Sequence, residues 1–160
     1  MADRAVINAS PLIFLSRGGH LGLLGSFAAE IWVPEPVAGE IRRRGDQDIT
    51  AEALASTAWL VVQPVPPVPT AITEWRLGIG ESATLALALA HGLEAIVDDL
   101  AGRKCAASIG VEVRGTLGIV LAAKQRGLIP AARPIIENLT SAGLYLSRGV
   151  LDAALRRVGE

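Results

Sequence analysis

Cysteine occurs once in this 160-residue chain, at Cys105. No internal disulfide can form, which excludes a secreted disulfide scaffold and a cysteine-rich zinc module and points to a reducing compartment. Aromatic residues are scarce, at 4% of the chain, and Trp32, Trp59 and Trp75 are not interleaved with basic residues as in a stacking platform for nucleic acid. They read as core or edge residues. Neither charge sign dominates: 15 basic residues face 16 acidic ones, for a net charge of −1. The chain as a whole has no attraction for a polyanion, so any nucleic-acid binding must be local. No apolar run approaches the roughly 20 residues that cross a bilayer, and stretches such as Ser82 to Ala90 are flanked by polar residues. Met1 to Arg4 carries both charge signs and lacks the basic-then-apolar plan of a signal peptide. The expectation is a soluble, cytoplasmic protein with no membrane association.

What the chain does have is aliphatic residues. Hydrophobic residues make up 51% of it, so the core must be built from Ala, Leu, Val and Ile packed between helices and strands. The length suits one domain, with 144–160 expected as a carboxyl-terminal helical extension. Ala5-Val6-Ile7 is β-prone and stops at Asn8-Ala9-Ser10-Pro11, where Ser10 can cap a helix that Pro11 opens. Ile31-Trp32-Val33 is a second strand, and Pro34 opens a helix carrying Val37, Glu40 and Ile41 toward Arg42-Arg43-Arg44. Trp59 to Val62 is a third strand, followed by an extended connector from Pro64 to Pro69 that excludes helix. Gly78-Ile79-Gly80 releases a helix from Glu81 to His91, which Gly92 ends. Glu94 to Val97 is the next strand and delivers Asp98-Asp99 ahead of a helix from Leu100 to Ile109. A short edge strand at Val111 to Val113 precedes helices over Thr116 to Arg126, Ala131 to Ala142 and Ser147 to Val158. Strands alternating with helical patterns predict an α/β fold, a three-layer α/β/α domain around a mainly parallel central sheet with right-handed crossovers.

In open α/β sheets, ligands gather outside the carboxyl ends of the strands. Asn8 and Asp98-Asp99 project from such ends, Glu81 opens a helix after a glycine-rich turn, and Glu40 follows a strand by about two helical turns. Oxygen-bearing side chains of this kind are the hard ligands that Mg²⁺ or Mn²⁺ takes, with waters completing the shell. Phosphodiester hydrolysis is the natural use of such a site.

The order of these residues resembles the PIN-domain nucleases, the family of VapC-type toxins. The resemblance rests on Val6-Ile7-Asn8-Ala9-Ser10, on Val33-Pro34 with Val37 and Glu40, on Gly80-Glu81 before an Ala-rich helix, and on Asp98-Asp99. The segments Gly115 to Gly118, Ala123-Lys124 and Gly127 to Pro130 resemble a less characterised PIN-like branch. The resemblance implies a metal-dependent endoribonuclease with Glu40, Glu81 and Asp99 as catalytic carboxylates. Asn8, Glu40, Glu81, Asp98 and Asp99 become the candidate Mg²⁺ or Mn²⁺ ligands, and Ser10 and Thr116 candidate supporting hydroxyls. It further implies an RNA substrate, a homodimer, and a role as the toxin of a toxin–antitoxin pair with an antitoxin partner. One departure weakens it: active members usually carry Asp where this chain has Asn8, and an amide oxygen is neutral, so cation affinity should fall.

Each residue also has a plainer reading. Asp98 can cap the helix that follows it, Asp99 and Glu81 suit the positive end of a helix dipole, and Glu40 can be a solvated Glu. Arg42, Arg43 and Arg44, candidate contacts for an RNA backbone, can equally be a solvated helix end. Thr116 can simply cap its own helix. A haloacid-dehalogenase-type phosphatase would also use a strand-end Asp pair, but it needs a carboxylate nucleophile after the first strand, where this chain has an amide. The rival of a different class is a catalytically inactive PIN-like module that binds protein or RNA. The apolar stripe Val150, Leu151, Ala154, Leu155 and Val158 suits either the core or a dimer interface.

Overall fold

The structure is a computed structural model and describes residues 2–160. Along the chain the elements are β1 (Ala2–Ile7), α1 (Ala9–Arg17), α2 (Gly22–Phe27), β2 (Ala28–Pro34), α3 (Glu35–Arg42), α4 (Ile49–Ser56), β3 (Leu60–Gln63), the short turn α5 (Thr70–Thr73), α6 (Ile79–His91), β4 (Glu94–Ile96), α7 (Leu100–Ser108), β5 (Val113–Arg114), α8 (Thr116–Gln125), α9 (Arg133–Ser141) and α10 (Arg148–Arg157). Among the described residues the strands form one sheet in the order β3-β2-β1-β4-β5, and every pairing is parallel.

Successive side chains on a strand face opposite sides of the sheet, and here both sides are apolar. Ala5 and Ile7 of β1, Ile31 and Val33 of β2 and Ile96 of β4 enter one cluster with Leu12, Val37, Ile119 and Ile136. Val6, Trp32, Ala95 and Val97 enter the other, with Leu85, Leu87, Cys105 and Val111. Two cores on two faces of one sheet make the fold a three-layer α/β/α domain. The Ala-rich α6 suits the second face, because small side chains let a helix lie close against the strands; Gly92 ends it in the left-handed region at φ 64°.

The strands extend beyond the predicted β-prone runs at the amino ends of β1 and β2, because a parallel ladder recruits any extended neighbour, as Ala2 pairs with Ala28. The predicted edge strand at Val111 to Val113 is shifted to Val113–Arg114, and Val111 instead buries under α7. Ser10 does not cap α1. The helix begins at Ala9, with extended Asn8 in the capping position and no side-chain cap bond, so Ser10 lies inside the first turn. Segment 144–160 packs onto the domain. Leu144, Ala154 and Leu155 are buried, and the Glu160 carboxylate accepts from the N–H groups of Ala132 at 2.6 Å and Arg133 at 3.2 Å. The stripe on α10 therefore closes the core, with Val150 alone left exposed. Among the described residues no helix is long and apolar enough to cross a membrane.

Candidate active site

β1 and β4 are neighbours where the strand order reverses: β2 and β3 lie to one side of β1, β5 to the far side of β4. Crossovers leave such a point in opposite directions and open a crevice at the strands' carboxyl ends. Asn8 follows β1, with its N–H donating to the Ile96 carbonyl at 3.1 Å, and Asp98-Asp99 follows β4. The cleft at this point encloses about 620 Å³, and its lining includes Asn8, Ser10, Glu40, Arg43, Gly80, Glu81 and Asp99. Five oxygen-bearing side chains from four distant segments thus share one hollow: Asn8 with Ser10, Glu40, Glu81 and Asp99.

Two glycines shape it. A Cβ on Gly80 would lie 3.2 Å from Val37 Cγ2 and 3.5 Å from both Asn8 Oδ1 and Glu40 Oε2. Gly80 is therefore the floor against which both groups lie. A Cβ on Gly102 would lie 2.7 Å from Glu81 Cδ and 3.0 Å from each of its oxygens. The Glu81 carboxyl group rests on the bare backbone of α7, a contact no other residue at 102 permits without displacing it.

Glu81 is the strained member electrostatically. Burial, and then the negative charge of Asp99, raise its carboxyl group from the usual range near 4.5 to about 7. Asn8 Nδ2 donates to Glu81 Oε2 at a long 3.5 Å, a contact that an aspartate at position 8 would turn into repulsion. The Cys105 thiol is buried, and burial first, then Glu81 and Glu74, push its pKa up. It is not a thiolate nucleophile.

Carboxylates with an amide oxygen are a hard donor set suited to Mg²⁺ or Mn²⁺. Among the described residues no three Asp, Glu, His or Cys side chains close in tightly enough to hold an ion by themselves. The arrangement therefore fits a cation that keeps several waters and binds through a few carboxylates, and it does not fit a dehydrated zinc or calcium cage.

Asp98 is not among the groups facing this cleft. Its Oδ1 accepts the Thr116 N–H at 2.7 Å and its Oδ2 accepts the Thr116 hydroxyl at 2.6 Å. Both oxygens are thus committed to the first residue of α8. Asp98 is a cap, as the plainer reading had it, but of α8 and not of α7. Thr116, fully buried, holds Asp98 and does not reach the cleft. The arginine triplet also divides. Arg43 lines the cleft, Arg44 donates to Asp48 at 3.0 Å, and Arg42 borders a separate hollow with Asp46 and Glu52. Only Arg42 lies within α3; Arg43 caps its carboxyl end and Arg44 follows in the turn, so the three do not share a helix face. Gly102 and the cleft-lining Ile79, 81% exposed, were not singled out by sequence. Gly102 had a faint signal, as a glycine in a helix interior three residues beyond Asp99.

A parallel sheet between helical layers, with acidic side chains gathered at its switch point, defines a nuclease-type α/β domain. A family model, DUF3368, described as a PIN domain, matches residues 4–160, and the chain belongs to the PIN-domain family. PIN domains are generally divalent-metal dependent and generally bind nucleic acids. Among solved structures the chain is similar to a PilT N-terminus domain protein from the hyperthermophilic archaeon Sulfolobus solfataricus, at 16% identity and a TM-score of 0.45, over 91% of this chain and 98% of that one. No curated protein matches it.

Proposed function

We propose that this protein is a metal-dependent endoribonuclease whose catalytic carboxylates are Glu40, Glu81 and Asp99. The supporting observation is the convergence of these three with Asn8 in one cleft at the switch point, from four segments with no other reason to meet. A divalent cation held there would supply charge neutralisation for the phosphodiester and acidify a water in its shell. Glu40, Glu81 and Asp99 do not close on an ion by themselves and would hold it together with its coordinated waters, with the Asn8 amide oxygen as a neutral donor beside them.

The chain's own groups do the positioning. Asn8 fixes one Glu81 oxygen through Nδ2 while Oδ1 faces Gly80 and the cleft. Arg43 brings a fixed positive charge to the same hollow, suited to a non-bridging phosphate oxygen. The first residues of α1 and α6 line the cleft as well, and the free N–H groups of a helix amino end favour an anion. With its carboxyl group near 7, Glu81 exchanges a proton with water in the neutral range.

RNA as substrate, a toxin role in the cytoplasm, homodimer formation and an antitoxin partner rest on the resemblance to VapC-type toxins. A second reading, an inactive RNA- or protein-binding module, is favoured by one observation: the amide at position 8 with no tightly closed cluster around it. Cleavage assays on mixed RNA with Mg²⁺, Mn²⁺ or EDTA separate the two. The nuclease reading expects metal-dependent cleavage that Asp99→Asn abolishes; absence of cleavage by the wild type and by Asn8→Asp leaves the binding module.

A further inference from the structure

We infer that a hollow between α8 and α10 is a binding site for a small organic anion, a carboxylate or phosphate carried on a compact apolar body. The inference goes beyond the nuclease reading and does not rest on it, because this hollow shares no lining residue with the acidic cleft. It encloses about 630 Å³, a size typical of pockets that take small ligands.

The chemistry of the ligand follows from what the lining offers. Its polar side chains are Asp98, Arg103, Arg114, Tyr145 and Arg157; every other lining residue is aliphatic or glycine. Asp98 has both oxygens engaged by Thr116, and Arg114 is held by Glu94 at 3.1 Å. Among the described residues Arg103 and Arg157 have no carboxylate within ion-pair distance. The Tyr145 hydroxyl aside, the side chains left free to bond are therefore donors without acceptors. Their complement is an acceptor-only group, a carboxylate or phosphate, which a guanidinium fork meets with two parallel N–H bonds. A cationic ligand would find three guanidinium groups and no free carboxylate.

Two glycines seat the arginines. A Cβ on Gly115 would lie 3.2 Å from Arg103 Nη1, and one on Gly118 would lie 2.9 Å from Arg114 Cγ. Both side chains thus lie against bare backbone at the start of α8, where a larger residue would crowd them, and Arg157 joins the same hollow from α10. The remaining lining is apolar, with Leu117 and Leu121 on α8 and Val150 on α10. Val150 is the residue of the α10 stripe that the core leaves exposed, at 51%. The body of the ligand would cover it and remove that surface from water.

The test is ligand-observed NMR with octanoate on the full chain, in EDTA so that no cation in the cleft can draw the carboxylate. Octanoate is expected to bind saturably and about tenfold or more tighter than octanol, which has the body without the charge. Inorganic phosphate, the charge without the body, is expected to bind more weakly as well. Phenyl phosphate titrated in parallel shows which head group the site prefers. Arg103→Gln with Arg157→Gln is expected to weaken octanoate about tenfold or more through lost charge-assisted hydrogen bonds. Ala153→Trp, at an exposed lining position, keeps every charge and is expected to block the hollow. Arg148→Gln, on the same helix but outside the lining, is expected to leave affinity unchanged. The site is overturned by no saturable binding of octanoate or phenyl phosphate, by octanol bound as tightly as octanoate, or by wild-type affinity in both the Gln pair and Ala153→Trp. An Arg148→Gln loss equal to that of the Gln pair overturns it too, since the effect is then one of overall charge. So does a wild-type dimer that binds no octanoate and that Ala153→Trp splits in size-exclusion chromatography, which makes the face an interface between copies.

Discussion

At the scale of single residues, the account turns on Glu81 and what touches it. Gly102→Ala should displace the Glu81 carboxyl group, because the new Cβ would stand 2.7 Å from its Cδ. The clash is with the end of a flexible side chain, and alanine favours a helix interior over glycine by about 1 kcal/mol. The expected result is thermal stability unchanged or raised, together with a loss of Mn²⁺ affinity, read by calorimetry and thermal melts on the same protein. Asn8→Asp should act in the opposite sense. It exchanges a hydrogen bond to Glu81 for a repulsion, so the metal-free melting temperature falls while Mn²⁺ affinity rises.

Glu81 also sets a pH dependence. Its folded pKa, about 7, lies above the value near 4.5 of an unperturbed carboxyl group, so the folded state binds the proton more tightly than the unfolded chain. The stability associated with this group is fully present below about pH 4.5 and is lost as the pH rises toward 7. Melts in EDTA should show that decline between pH 5 and pH 8, added Mn²⁺ should offset it most at the alkaline end, and Glu81→Gln should flatten it. A wild-type profile that rises over the same window would contradict the assignment.

At the scale of elements, the strands and the long helices were legible because their signals are local. β-prone runs ending at Asn, Pro or Asp gave β1 to β4, and the Ala/Leu-rich stretch after Gly80 gave α6. Helices α2 and α4 were not anticipated. α2, with the sequence Gly22 to Phe27, contains two glycines and lies against Trp59, whose ring would stand 3.4 Å from a Cβ added at Gly25; its stability is tertiary. α4 is signalled only by Asp48, whose carboxylate caps Thr50 and Ala51. The Asp98–Thr116 pair was illegible for a different reason: it joins the end of β4 to the start of α8 across 18 residues. Asp98→Ala should cost about 1–2 kcal/mol as a lost cap. It should be non-additive with Thr116→Val in a double-mutant cycle, and leave Mn²⁺ affinity essentially where it was. A large fall in Mn²⁺ affinity would instead return Asp98 to the ligands.

At the scale of the whole molecule, the strand order decides where the chemistry lies. The sheet reverses between β1 and β4, so the residues that follow these two strands meet, whatever their separation in sequence. Asn8, Glu81 and Asp99 were readable as strand-end or helix-start residues, and Glu40 from its distance behind β2. Their common cleft required the topology. The division of Arg42-Arg43-Arg44 and the paired roles of Asp98 and Asp99 required side-chain directions that periodicity alone does not give. Consecutive residues after one strand serve two purposes: Asp99 lines the cleft, while Asp98 accepts from Thr116 at the start of α8.

The central claim is that Asn8, Glu40, Glu81 and Asp99 act as a single cation site, and it can be tested without knowing any RNA target. The measurement is Mn²⁺ titration by calorimetry at pH 8, on the wild type and on Glu81→Gln. The account predicts saturable binding by the wild type that Glu81→Gln abolishes or weakens by about tenfold or more, as for loss of a ligand. No saturable binding by the wild type, or equal binding by both proteins, would contradict it.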